Sequence, residues 1–379
     1  MFVYKIDFRF INMRTIYYVN HEVKDMLIIK NKARANKFIQ LDNYFDTRDI
    51  VLFDIETTGF AAQTTTLYLI GCASYEDGEL IITQWFNNDG QSEVEIINSF
   101  FEYISGFKTI IHYNGDGFDI PYVSKKLEEH KLSYTFDELE SYDLYKHIRP
   151  YKNILHLDDL KQKSIEQFLD IHRLDKYSGG DLIKIYKEYL DKPDDKKEQL
   201  LLQHNYEDIE GLIYNCCLIS YIKLSEGCFY VHSMSVRKNK LLFSLSLDYE
   251  IPKRISFGKN QITVTGYQNE ATINVPIFED TLKFFFEDYK DYYYLPVEDR
   301  AIHKSVATYV DKNYREKATK ETCYVKQSGY FITQLEGDII TGYKKSYNDK
   351  ESYIELNDSF LQDMDKINEY AKYIISRLI

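Results

Sequence analysis

The sequence predicts an α/β domain, with a mixed sheet flanked by helices, followed by a β-rich α+β domain. Residues 51–86 contain three apolar segments in hairpin order. From residue 92, apolar strands alternate with amphipathic helical stretches, an order typical of helices packed on a sheet. After about residue 227 the apolar runs become short and alternating, broken by Asn, Gly and Pro, which favours antiparallel strands.

The elements of this domain are expected in the following order. Periodicity and turn residues predict strands at 51–56, 66–75, 79–86, 109–114 and 140–145. They predict helices at 92–104, 120–130, 157–169, 181–190 and 196–224. Two further helices are expected nearer the C-terminus, at 299–310 and 358–377.

The length of 379 residues indicates two domains. We expect an N-terminal extension at 1–46, the α/β domain at 47–227 and an accessory domain at 228–379. Residues 1–14 alternate apolar and charged side chains, which predicts a strand and not a signal peptide. The absence of a run of about 18 apolar residues argues against a membrane span. The five cysteines form no C-x-x-C pair, which argues against a zinc site and fits a reducing, cytoplasmic location.

The net charge of −13 restricts the class of partner. A protein that coats duplex nucleic acid is normally basic, so a large surface of that kind is not expected. The acidic surplus lies almost wholly before residue 228. This balance still permits an enzyme that binds metal ions through carboxylates and holds only a few nucleotides.

Three acidic motifs follow one another along the α/β domain. Asp54 and Glu56 lie two apart in a strand, so they share one face while the apolar residues between and before them face the core. Asp119 ends the loop NGDGFDIP, where the alternative is a simple helix cap. His204 and Asp208 lie four apart on a helix, where the alternative is a surface ion pair. For each motif alone, the structural alternative is at least as good as the functional one.

Taken together, the motifs resemble the DnaQ-like (DEDD) exonuclease superfamily of the RNase H fold. The stretches that carry this resemblance, over residues 48–226, are FDIETTGF, TTTLYLIG, HYNGDGFDIPYV and LLQHNYEDIEGL, and they are most similar to the YprB-like branch. The resemblance implies that the metal-binding acids are Asp54, Glu56, Asp119 and Asp208. His204 stands at a spacing at which one family type has tyrosine, and it is the candidate for activating water.

The resemblance also implies the chemistry. Carboxylate ligands suit Mg²⁺ or Mn²⁺, and two such ions can clamp the attacking and leaving oxygens of a phosphodiester. We therefore predict a metal-dependent 3′–5′ exonuclease, with single-stranded DNA favoured as substrate. The weaker candidates for substrate contacts are Thr57, Thr58, Asn114 and Phe118; Phe118 fits a place in the core better.

Three alternatives remain open on the sequence. The same site can serve a structure-specific or RNA-directed nuclease, because nothing in the sequence identifies a contact to the 2′-hydroxyl. A non-catalytic nucleic-acid-binding module that kept the acids is the third. The accessory domain 228–379 carries no catalytic spacing; we expect it to position substrate or to bind a protein partner.

Overall fold

The computed structural model of the protein describes residues 15–17, 26–34, 41–336 and 339–379. The strand expected over residues 1–14 lies outside these ranges. The chain divides into two compact units, residues 1–219 and 220–379. The division between residues 219 and 220 lies a few residues before the boundary expected at residue 227, at the start of the helix Ile219–Ser225.

A seven-stranded mixed sheet forms the centre of the first unit, in the order β1-β2-β5-β4-β3-β6-β7. β3 pairs antiparallel with β4, and β4 with β5, whereas β6 and β7 extend the sheet in parallel. β2 pairs with β5, so part of the expected N-terminal extension belongs to this sheet. The strands are β1 Thr15–Tyr17, β2 Leu27–Lys32, β3 Ile50–Thr57, β4 Leu67–Glu76, β5 Glu79–Phe86, β6 Thr109–His112 and β7 Glu140–Asp143.

The predicted helices of this part of the chain occur in the predicted order but not with every predicted boundary. One helix, Leu144–Ile148, was not predicted, and it replaces the end of the strand expected at 140–145. The helix expected at 157–169 begins only at Gln162, because Lys161 has extended backbone angles. The helix expected at 196–224 ends at Asn215, where a single 3₁₀ turn follows. The helices are α1 Glu93–Ile104, α2 Asp119–His130, α3 Leu144–Ile148, α4 Gln162–Phe168, α5 Gly179–Asp191, α6 Asp195–Asn215 and α7 Ile219–Ser225, with 3₁₀ turns at Leu41–Asn43, Ala62–Thr64, Arg149–Tyr151 and Cys216–Leu218.

The two faces of β3 have different roles. Val51, Phe53 and Ile55 are buried in an apolar cluster with residues of α1 and α2, as the alternation predicted. On the opposite face, a second apolar cluster joins β4 and β5 to α5 and α6. Asp54 and Glu56 point toward this α6 side, where they contact α6 side chains. The mixed sheet with helices on both faces confirms the predicted fold class.

The second unit is β-rich, also as predicted. Its described residues form three three-stranded sheets, in the orders β10-β9-β8, β11-β15-β16 and β13-β12-β14, all with antiparallel pairing. The strands are β8 Phe229–Arg237, β9 Lys240–Lys259, β10 Ile262–Pro276, β11 Phe278–Phe285, β12 Tyr292–Leu295, β13 Arg300–His303, β14 Glu316–Lys317, β15 Tyr324–Glu336 and β16 Glu351–Glu355. Its helices are α8 Lys304–Ala307, α9 Asp358–Leu361 and α10 Met364–Leu378, with 3₁₀ turns at Tyr289–Asp291 and Lys312–Tyr314.

Two helix predictions in this unit need correction. The prediction of a helix at 299–310 is wrong for most of its length. Residues 300–303 pair with β12, and a single helical turn, Lys304–Ala307, follows them. Strand pairing here overrides a weak helical pattern. The helix expected at 358–377 is two helices, because Asp363 is extended and caps the second by accepting from the N–H of Lys366. Among the helices of the described residues, none has the length and apolar character needed to cross a bilayer.

Candidate metal centre

Asp54 and Glu56 lie near the end of β3, each held by a neighbouring side chain. The Nδ2 group of Asn205, on α6, donates to Asp54 Oδ2 over 3.0 Å. The hydroxyl of Tyr68, on β4, donates to Glu56 Oε2 over 3.4 Å. The two carboxylates are therefore directed to the α6 side of the sheet, as the spacing predicted.

Asp119 reaches the same strand from the start of α2. Its Oδ1 accepts the backbone N–H of Ile55, the residue between Asp54 and Glu56, over 3.3 Å. The cap position of α2 belongs to Phe118 and carries no side-chain cap bond. Asp119 thus faces β3 instead of capping its helix, and its side chain is buried.

His204 and Asp208 complete the cluster from α6. The Nε2 atom of His204 lies 3.1 Å from Asp208 Oδ2 and 3.4 Å from Glu56 Oε1. On the other side of the ring, Nδ1 lies 2.7 Å from Asp175 Oδ2. One potential ligand atom from each of Glu56, His204 and Asp208 lies within 4.8 Å of the others. The hydroxyl of Tyr206, on the same helix, projects elsewhere and donates to the backbone oxygen of Lys32.

The negative charges of these acids repel one another. Burial, together with the charges of Asp208, Asp119 and Glu56, raises the pKa of Asp54 well above its ordinary value. Burial raises the pKa of Glu56 to about 7, although the attraction of His204 opposes this, and burial raises the pKa of Asp119 to about 7 as well. Burial alone would lower the pKa of His204, but Asp208, Glu56 and Asp175 raise it overall. The cluster is a strongly negative site that favours a cation.

The raised pKa of Glu56 gives a testable pH dependence of stability. Between its ordinary value of 4.5 and about 7, the native carboxyl binds a proton that the unfolded chain has lost. The stability of the metal-free wild type, relative to a Glu56→Gln variant, should therefore fall as pH rises through this window, by on the order of 2 kcal/mol. Denaturant unfolding in EDTA at pH 5 to 8 measures it. Buried His112, whose lowered pKa acts in the opposite direction, is common to both proteins. A difference that stays constant or grows with pH would contradict the assignment.

Asn205 is a site residue that the sequence analysis missed. It is fully buried, and its Oδ1 accepts from Gln84 Nε2 over 3.0 Å while its Nδ2 holds Asp54. Gly71 on β4 makes room for it, because a Cβ at that position would lie 2.2 Å from Asn205 Oδ1. Neighbouring His204 and Asp208 drew attention to this helix, but nothing in the spacing marked Asn205 itself.

Gly71→Ala is expected to displace Asn205 and to leave Asp54 without its hydrogen bond. Overpacking a buried site costs about 1–3 kcal/mol, and the nearest atoms belong to an anchored side chain with little room to move. Chemical denaturation of the two proteins gives the difference. Gly106→Ala is the matched control, since a Cβ there would meet nothing within 4 Å. Equal stability of both variants would contradict the packing described.

Arg173, Asp175 and Glu166 were also missed. All three belong to the segment around α4 and the loop that follows it, and their side chains are buried. The Arg173 guanidinium bonds both Glu166 and Asp208, while Asp175 orients His204. These pairs are separated by up to 35 residues, so no local motif signals them.

The four predicted substrate-contact residues lie close to β3 and α2. The hydroxyl of Thr57 donates to the backbone oxygen of Gly59 over 2.8 Å. The hydroxyl of Thr58 accepts the backbone N–H of Thr66 over 2.8 Å. Asn114 is exposed, with a positive φ of 62°. Phe118 packs partly on the core, as favoured, and its ring contacts that of Phe60, which is 91% exposed. Phe60 was not predicted, although it directly follows the TTG turn.

A second group of possible ligands, His112, Asp116 and Asp143, has most of its atoms bonded within the protein, but the buried Oδ2 atom of Asp143 has no hydrogen-bond partner among the described residues. The Nδ1 atom of His112 accepts the N–H of Gly115 over 3.0 Å, which requires a neutral, structural tautomer with its proton on Nε2. Lys146 Nζ lies 2.6 Å from Asp116 Oδ2 and supplies the local positive charge. The hydrogen bonds of this group stabilise the loop after β6, where Asp143 Oδ1 accepts the N–H of Asn114 and His112 Nδ1 that of Gly115.

Comparisons with known proteins found a match to one protein family and a similarity to solved structures. A family B DNA polymerase from the hyperthermophilic archaeon Pyrobaculum calidifontis is similar in structure over 46% of this chain and 25% of its own, with 15% identity and a TM-score of 0.38. This chain thus spans a quarter of the length of that chain. No curated protein matches the chain. Residues 51–214, which contain all four acids, match the RNase_H_2 family of the RNase_H superfamily, and the fold is RNase H-like.

Proposed function

We propose that this protein is a metal-dependent 3′–5′ exonuclease that hydrolyses phosphodiester bonds, with single-stranded DNA as the favoured substrate. The observation that carries the proposal is the gathering of Asp54, Glu56, Asp119 and Asp208, from three remote stretches of chain, around residues 54–56 near the end of β3. The match of residues 51–214 to a superfamily of nucleic-acid hydrolases supports it. The 3′–5′ direction rests on the sequence resemblance.

The chemistry of the donor atoms fits divalent cations. Four carboxylates offer only hard oxygen ligands, which suit Mg²⁺ or Mn²⁺. The raised pKa values of Asp54, Glu56 and Asp119 show that these buried charges lack sufficient compensation from the protein. Two bound ions would supply charge stabilisation for the attacking and the leaving oxygen of the phosphodiester.

His204 is suited to take a proton from the attacking water. Its Nδ1 contacts the Asp175 carboxylate, and its Nε2 is the atom that faces the metal-binding acids, 3.1 Å from Asp208 Oδ2 and 3.4 Å from Glu56 Oε1. As the water oxygen bonds to phosphorus, its proton passes to Nε2 and the bond to the 3′-oxygen breaks. That oxygen, on the penultimate nucleotide, leaves and is protonated, and a nucleoside 5′-monophosphate is released.

Phe60 provides an apolar surface for a terminal base. Its ring is 91% exposed and contacts Phe118, directly after the strand that carries Asp54 and Glu56. An exposed aromatic ring can stack on any base, which suits an enzyme without sequence preference. We propose that Phe60, with Phe118 as its support, binds the 3′-terminal base.

The test is a degradation assay on 5′-end-labelled single-stranded DNA with Mg²⁺ or Mn²⁺. We expect a ladder that shortens from the 3′ end and that EDTA abolishes. A circular single strand and a strand with a 3′-terminal phosphorothioate linkage serve as matched substrates that an exonuclease leaves intact. Cleavage of the circle would replace the proposal with an endonuclease.

Parallel assays on RNA and on duplexes separate the remaining alternatives. Degradation of RNA alone would assign the site to an RNA-directed nuclease. Metal binding without turnover on any strand would support a non-catalytic module. The role of residues 228–379 in substrate positioning or partner binding stays a prediction.

A further inference from the structure

Arg173 is a buried cation beside the proposed metal site that the chemistry above does not use. It lies in the loop between α4 and α5, and only 8% of its side chain is exposed. Its Nη1 donates to Asp208 Oδ1. The other oxygen of Asp208 faces Nε2 of His204 at 3.1 Å, so both oxygens of this acid already have partners.

Glu166 fixes the direction of this guanidinium. Nε and Nη2 of Arg173 each donate to one oxygen of Glu166 over 2.5 Å, a bidentate pair that leaves Nη1 for Asp208. The Glu166 side chain is 2% exposed, and Gly211 on α6 gives it space, since a Cβ there would lie 2.0 Å from Oε1. The positive end of a fixed, buried ion pair therefore faces Asp208.

A second helix contact holds the same acid from its backbone. Gln162, one turn before Glu166 on α4, donates its Nε2 to the backbone oxygen of Asp208 over 2.6 Å. Asp208 thus has its backbone and both side-chain oxygens held, whereas Asp54 and Asp119 have only neutral donors. The four acids are not equivalent: Asp208 is bonded to a buried guanidinium, Glu56 faces His204 at 3.4 Å, and Asp54 and Asp119 have neutral donors only.

We propose that Arg173 is a positioning residue that prevents Asp208 from coordinating a second metal ion until nucleic acid binds. The inference rests on the proposed function. A guanidinium bonded to Asp208 repels a divalent cation at that carboxylate, so the free protein takes one ion, held by Asp54, Glu56 and Asp119. The negative phosphate of the bound strand then favours the binding of a second ion, and Asp208 exchanges its contact with Arg173 for a contact with that ion.

The test is the number of Mn²⁺ ions bound per chain, measured by calorimetry and by electron paramagnetic resonance. We expect one ion for the wild type alone and two when a phosphorothioate oligonucleotide that resists cleavage is present. A double variant, Arg173→Gln with Glu166→Gln, removes the buried pair without changing the net charge, and we expect it to bind two ions without nucleic acid. Arg173→Lys retains the cation and should still bind one ion.

Each outcome separates this inference from the proposed function. One ion for both the wild type and the double variant overturns the role of Arg173 and leaves a metal-dependent nuclease in place. Two ions for the free wild type does the same. No ion in any of the proteins overturns both proposals. Far-ultraviolet circular dichroism and thermal melting of each variant show whether it is folded. If the double variant does not fold, the wild type decides: the same number of ions with and without the oligonucleotide overturns the inference.

Discussion

An Asp54→Asn variant is expected to lose metal-dependent degradation of single-stranded DNA by about 10³-fold or more, because it loses a ligand that compensates several kcal/mol of transition-state charge. The amide keeps the size of the side chain, and Asn205 can still contact it. The change also removes a buried carboxyl group whose pKa is raised by burial and by the neighbouring acids, so that its charged form is unfavourable. We therefore expect the metal-free variant to be at least as stable as the wild type.

Two measurements on the same preparations check this expectation. Single-turnover degradation with Mn²⁺ gives the loss of activity, and thermal melting in EDTA gives the stability. Asp137→Asn, at an exposed position outside the site, is the matched control and should behave as the wild type. Full activity in the Asp54 variant would contradict the role of Asp54 as a metal ligand and, with it, the nuclease proposal.

A His204→Gln variant is expected to degrade DNA about 10²–10⁴-fold more slowly, the range that a positioned general base contributes. Substrate affinity should change little, because the ring nitrogens contact the acids of the site. Filter binding in Ca²⁺ and the rate of a single turnover separate these two quantities. A loss of binding with an unchanged rate would assign His204 to substrate contact.

The contact with Asp175 adds a prediction about pH within the same experiment. The hydrogen bond from Nδ1 to Asp175 favours the charged ring and raises the pKa of His204. Since the base must be neutral to act, activity should fall as pH drops through that pKa. Asp175→Asn should lower the pKa and move this acidic limb to lower pH. A limb that moves to higher pH, or that stays in place, would exclude His204 as the base.

The fold and the acidic motifs were predictable because their signals are local. Alternation along residues 51–55 fixed which side of β3 faces the core, and the observed core cluster follows it. The glycines of the loop before Asp119 and the four-residue spacing of His204 and Asp208 are likewise properties of short segments. Where the local pattern was weak, as at 299–310, pairing with β12 decided the structure instead.

The sequence by itself therefore determined the class of fold, and it predicted the acids that we propose as metal ligands. Only the tertiary structure decided how those acids differ. Asn205 reaches Asp54 across 151 residues of sequence, and Arg173 reaches Asp208 across 35. The physical reason is that periodicity specifies which face a side chain shares, whereas the compensation of a buried charge depends on partners supplied by chain packing.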